Sequence, residues 1–154
     1  MTREEFVRDL GLGRRNFSGE ELGGLDLSGL DLSGLDFVDA DLSGCRFSGT
    51  RFVKAGLSRA NLSGATMVEC DLTGAKLSRA DLSGADLSGA HLYEANLTRS
   101  RLVGSRLVGT NLTRARLRRV DLTRANLSNA VMVDADLPGE SHLGGRLRRL
   151  LHPG

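Results

Sequence analysis

A large apolar side chain returns every fifth residue from Phe17 to Leu137, 25 times in succession without an insertion. A period of five fits neither regular element. In an α-helix, five steps advance a side chain by about 140°, so the apolar residues would spiral around the cylinder and form no face. In a flat strand, an odd period sends alternate residues to opposite faces. Burying all of them together therefore requires the chain to bend once in every unit.

The rest of the unit agrees. Two residues before each central apolar position the side chain is nearly always small, as in Ala40, Cys45, Thr50, Ala55 and on to Ala135. Asp or Asn recurs between the two, and a Ser-Gly or Thr-Arg pair with turn composition follows. Small in, polar out, large in, then a corner is a short extended piece with a turn. If each corner turns about 90°, four units close a coil of about 20 residues, and successive coils stack at about 4.8 Å. Stacking then pairs the backbone N–H and C=O groups between coils.

Ala60-Asn61-Leu62-Ser63-Gly64, Ala80-Asp81-Leu82-Ser83-Gly84 and Ala85-Asp86-Leu87-Ser88-Gly89 carry a close resemblance to the pentapeptide repeat family, whose consensus is A-(D/N)-L-x-x. The resemblance covers residues 15–139 in unbroken register. It implies an all-β fold, a right-handed quadrilateral β-helix, with handedness and the four-sided section coming from the family. Family members differ in what they do, so function does not follow from the repeat.

Three segments are expected: 1–14, a short helical cap; 15–139, the solenoid of 25 units in about six coils; and 140–154, a C-terminal helical tail. Solenoids need covered ends, because an open end exposes core side chains and an unpaired ladder edge. At the front, Thr2 to Glu5 reads as a capping box, Phe6 and Leu10 share a helical face, and Gly11 is the expected stop. The segment is charged and lacks an apolar run, unlike a signal peptide. At the back, Pro138 and Gly139 end the ladder. Leu143, Leu147, Leu150 and Leu151 then follow at helical spacing, either as a cap folded over the last coil or as a homodimer contact like that of family members that protect DNA gyrase.

No catalytic, cofactor or metal constellation is found. His91 falls in an outward slot, and His142 and His152 lie in the tail. Cys45 and Cys70 take the small inward slot in different coils, which argues against a disulfide and suits a reducing cytoplasm. Ser100, Ser105 and Thr110 are inward hydroxyls expected to bond nearby backbone. An enzyme is therefore not expected, nor a membrane protein.

Charge is the feature that addresses a partner. On a 20-residue coil, the units starting at 15, 35, 55, 75, 95, 115 and 135 share one side. Arg59, Lys76, Arg79, Arg99, Arg116, Arg118 and Arg119 lie there in four consecutive coils, and the side totals +5. Such a stripe can meet a polyanion or serve as a solvated face. The first expectation is a non-enzymatic binding or scaffold protein whose partner is another protein. One alternative is a modulator of DNA gyrase or another type II topoisomerase giving antibiotic protection, a role some family members have. It is weakened by the shortage of the carboxylate rows that DNA imitation requires. The other alternative is nucleic-acid binding through the basic side.

Overall fold

The computed structural model describes residues 1–139, and the leucines of the expected tail, Leu143, Leu147, Leu150 and Leu151, lie outside them. Helix α1, Arg3–Gly11, precedes a ladder of parallel bridges between residues 20 apart, from Asn16↔Asp36 to Arg116↔Asp136. A constant offset of 20 with one bridge per five-residue unit makes a four-sided coil. The extended part of each side shrinks to a single bridged residue, because the turn consumes much of the unit.

One unit shows where its backbone groups go. Leu57 N–H donates to Lys76 C=O (2.8 Å), Arg59 N–H donates to Ser78 C=O (3.0 Å), and Asn61 N–H donates back to Ala40 C=O (2.9 Å). Ala60 N–H closes the corner onto Leu57 C=O at 3.2 Å, and Arg59 inside that turn has φ of 58°. A single positive φ at the third position of a hydrogen-bonded turn is the type II geometry. One donor is left over, the N–H just after the central residue. In twelve units the Asp or Asn before the central residue accepts it, as Asp26 does from Ser28 at 3.1 Å. The recurring Asp/Asn slot is thus part of the corner, completing the backbone accounting.

Several of these aspartates titrate in service of the fold. The carboxyls of Asp26, Asp31 and Asp41 are held below their ordinary value by the hydroxyl, and then the backbone N–H, of Ser28, Ser33 and Ser43. A depressed folded value means a contribution fully present above the unfolded carboxylate value of about 3.9 and lost as pH falls through the folded one. Melting temperature should therefore be flat from about pH 8 to 5 and decline below about 4. Replacing the three by Asn, which makes the same bond at Asn61 and Asn96 without titrating, should make that acid limb shallower, leaving the part carried by carboxyls such as Asp9 and Asp39 beside their arginines. An unchanged limb would show that the corner bonds do not carry the dependence.

Inside, the central residues from Phe17 to Leu117 are all buried, and so are the small slots from Leu35 to Val120. Four phenylalanines gather at the front. Phe17 and Phe37 stack at 5.6 Å, and Phe47 and Phe52 meet edge to face at 5.0 Å. Helix α1 adds Phe6, fully buried, with its ring 4.6 Å from Phe17. The capping box is formed: Glu5 N–H donates to Thr2 Oγ1 (3.2 Å) and Thr2 N–H to Glu5 Oε2 (2.7 Å). Gly11 closes the helix, but the left-handed residue is Gly13 (φ 91°) two positions later. At the other end Leu122, Met132 and Leu137 are only partly buried and Val131 and Val133 are exposed, among the described residues.

The inward polar slots divide. Thr50 and Thr110 donate to Leu27 and Leu87 carbonyls at 2.8 and 2.9 Å, and Ser105 to Leu102 at 2.8 Å, as expected of inward hydroxyls. Ser100 departs from that expectation, since its buried Oγ has no hydrogen-bond partner. Leaving a buried hydroxyl unsatisfied costs about 1–3 kcal/mol. Ser100→Ala should thus raise unfolding free energy by about 1 kcal/mol, whereas Thr110→Val should lower it by about 1. Equal signs in denaturant titrations would refute this division.

Candidate binding face

The four sides differ most at their corners. Each turn needs a left-handed residue, for which glycine carries no steric penalty. The corner column of the second side uses it five times running, at Gly24, Gly44, Gly64, Gly84 and Gly104. On the first side the column reads Gly19, Asp39, Arg59, Arg79, Arg99 and Arg119, with φ of 58°, 60°, 62° and 55° at the four arginines. A non-glycine residue held in this region costs on the order of 1 kcal/mol or more. Four successive arginines are therefore kept where the backbone favours glycine, one above another at about 4.8 Å.

Pairing separates the first side from the others as well. At the bridge positions of the second, third and fourth sides, each arginine has a carboxylate directly below it, 20 residues earlier. Arg51 meets Asp31 at 3.1 Å, Arg101 meets Asp81 at 3.4 Å, Arg106 meets Asp86 at 3.7 Å and Arg46 meets Asp26 at 3.8 Å. The corner residue Arg114 likewise reaches Glu94 at 3.0 Å and donates to the Tyr93 hydroxyl at 3.0 Å. On the first side the cations at bridge positions are Lys76 and Arg116, and the residues below them are Gly56 and Asn96.

Of the seven basic residues singled out on that side, the structure neutralises two. Arg59 forms a two-point contact with Asp39, both bonds at 2.7 Å, and the guanidinium holds that carboxyl below its ordinary range. Arg118 pairs with Asp136 at 2.7 Å. The other five, Lys76, Arg79, Arg99, Arg116 and Arg119, are exposed and have no ion pair among the described residues. They occupy three successive coils; the paired Arg59 lies one coil before them, and the paired Arg118 shares the last coil with Arg116 and Arg119.

The thiols offer no competing chemistry. Cys45 and Cys70 are buried and donate to the Leu22 and Phe47 carbonyls at 3.0 and 2.8 Å. Burial pushes the Cys70 thiol up to about 12, which keeps it neutral. Among the described residues no group of His, Cys, Asp and Glu could hold a metal ion, and no helix is long and apolar enough to cross a membrane.

Sequence reasoning brought the seven basic residues to one side, and the structure keeps them there. It missed that two are neutralised and that four stand in the left-handed region. Both signals are in the sequence: the first in Asp39, 20 positions before Arg59, and in Asp136, 18 positions after Arg118, the second in arginine and glycine sharing one slot.

The chain resembles several solved structures. HetL, a pentapeptide repeat protein involved in heterocyst differentiation regulation from the cyanobacterium Nostoc sp. strain PCC 7120, is 24% identical, with 88% of this chain and 94% of that one covered and a TM-score of 0.41. Rfr23 from the cyanobacterium Cyanothece 51142 is 24% identical over 87% and 98% of the two chains, with a TM-score of 0.39. Full-length QnrB1, a plasmid-mediated fluoroquinolone resistance protein, is 17% identical over 88% and 96%, with a TM-score of 0.37. No curated protein sequence matches. The sequence pattern of the family described as pentapeptide repeats matches in 8 copies, over residues 16–49, 55–92, 75–114, 90–129 and 105–139. With that match spanning most of its length, and with a five-residue unit stacked four to a coil, the chain belongs to the pentapeptide repeat family.

Proposed function

We propose that this protein is a non-enzymatic binding module, a rod whose first side meets another macromolecule, working in the cytoplasm. The observation that supports this most is the stack of unpaired arginines Arg79, Arg99 and Arg119 in the corner column. At the bridge positions of the other three sides every arginine is paired with a carboxylate, whereas here like charges are stacked in a strained backbone conformation. Such an arrangement opposes stability twice, through strain and through repulsion, and a partner of opposite sign relieves the repulsion. Imitation of DNA toward a type II topoisomerase would instead need rows of free carboxylates. On these sides Asp26, Asp31, Asp81 and Asp86 are each taken by an arginine one coil on, so the basic side is the better-supported surface.

Site-specific photo-crosslinking in cells tests the reading. A crosslinker at Ser78, between the arginine rungs, should capture a macromolecule, and one at Ser88 on the third side should not. Capture from neither position, or equally from both, would remove the first side as the binding face.

A further inference from the structure

Resting on that reading, we propose that the first side binds the phosphate backbone of duplex nucleic acid, laid along the solenoid axis over Lys76, Arg79, Arg99, Arg116 and Arg119. Charge density is the first ground. Five unpaired cations lie in three coils, which at about 4.8 Å per coil is an axial run of about 10 Å. One cation per about 2.4 Å falls between the spacing of one strand of a duplex, about 3.4 Å per phosphate, and that of both strands, about 1.7 Å. Protein surfaces seldom carry unbroken acid at that density, since their carboxylates pair with nearby bases, as this chain's own do.

Residue type is the second ground. Four of the five are arginine, whose planar fork donates two parallel hydrogen bonds to phosphate oxygens. Three of them, Arg79, Arg99 and Arg119, are the left-handed corner residues. The column thus projects from turns locked into the backbone ladder, Arg79 N–H to Thr98 C=O at 3.0 Å and Arg99 N–H to Arg118 C=O at 2.9 Å. Rungs so fixed fit a ligand that is itself rigid and evenly charged.

The surroundings choose duplex over single strand. Between the rungs the outward side chains over these three coils are Ser78, Thr98 and the acid-paired Arg118, with no ring on which an unpaired base could stack. Single-strand platforms rely on such rings. Contacts of this kind go to phosphate oxygens and not to base edges, so binding is independent of sequence. The Arg59–Asp39 pair marks the front of the footprint, and Asp136, paired with Arg118, marks its far end one coil past Arg116.

The test is fluorescence anisotropy of the full chain with a random 20-base-pair duplex and its single strand across a salt series. Each phosphate neutralised on a duplex contributes about −0.9 to the slope of log affinity against log salt, so five contacts give about −4.5. In the triple variant Arg79→Gly, Arg99→Gly, Arg119→Gly two contacts remain, and the slope should fall to about −1.8. Because glycine suits those corners, that variant should melt at or above the wild-type temperature, so its lost binding cannot be charged to misfolding. Lys76→Gln with Arg116→Gln provides a second variant, expected to keep three contacts and a slope of about −2.7.

Absence of duplex binding at low salt, undiminished binding by the triple variant, or tighter binding of the single strand would each overturn the proposal. If duplex binding is absent while the Ser78 crosslink still captures an acidic protein, only the choice of ligand falls. If the crosslink also captures nothing, the binding-face reading falls with it.

Discussion

Leu87→Lys should cost roughly 4 to 5 kcal/mol, because it places an ammonium in a stack where Leu87 is fully buried and the surroundings are apolar. Ser88→Lys, one residue on, should cost about 1 kcal/mol or less. It loses only the hydroxyl bond to Asp86, while the Ser88 N–H keeps its own bond to that carboxylate. The manner of unfolding should differ too. Each coil touches only its neighbours, so a lesion in the fourth of six coils separates the stack into two parts that need not melt together. Denaturant titration of Leu87→Lys should accordingly show a broadened or two-step transition beside a single step for Ser88→Lys. Equal shifts in the two variants would mean that the inward and outward slots are wrongly assigned.

Phe6→Ala should lower stability by about 3–5 kcal/mol, the range for emptying a buried aromatic site. Phe6 closes against the rings of Phe17 and Phe37 at 4.6 and 6.3 Å, and Arg3 ties the helix down by donating to the Asp26 carbonyl at 2.8 Å. Arg14 adds a guanidinium 4.5 Å above the Phe17 ring and pairs with Asp9 and Glu20. Without the Phe6 ring the first coil would face water through Phe17. Amide hydrogen exchange is the direct measurement. Protection at Phe17 and Leu22 should collapse while Leu97 and Leu102 stay protected, and uniform loss along the rod, or a cost below 1 kcal/mol, would show that α1 does not close that end.

Much of this architecture was legible in the chain because one physical requirement repeats 25 times. A five-residue apolar period can be buried only by a coil, and folding it at 20 assigns Arg79 and Arg99 to one side with no further information. The corner was legible in composition but not in conformation. Glycine at 84 suggests a positive φ, whereas arginine at 79 gives no sign that it shares it, because the slot and not the residue sets the backbone there. Alternation alone places the Asp/Asn slot outward, and its bond to the leftover N–H, as from Ser28 to Asp26, depends on a side-chain rotation that the pattern does not carry. Ser100 looked like Thr110 in the sequence; which hydroxyl finds a carbonyl depends on side-chain rotation, which a one-letter pattern does not carry. The identity of whatever the arginines meet lies in the partner's chemistry and is written nowhere in the repeat.

The bridge offset of 20 and the unit of five give this chain two separate arithmetics. The core counts modulo five, so losing or gaining one whole unit leaves every apolar residue facing inward. The faces count modulo twenty, so the same change rotates everything downstream by a quarter turn. Removing residues 85–89 would preserve the packing yet carry Arg99 and Arg119 onto the fourth side, leaving Arg79 behind. An insertion or deletion of four units would lengthen or shorten the rod with its column intact. Along such a chain, selection for stability alone sees units, whereas selection for a surface sees only whole coils. An arginine column stays in line over four coils only if the length between its members changes in steps of twenty.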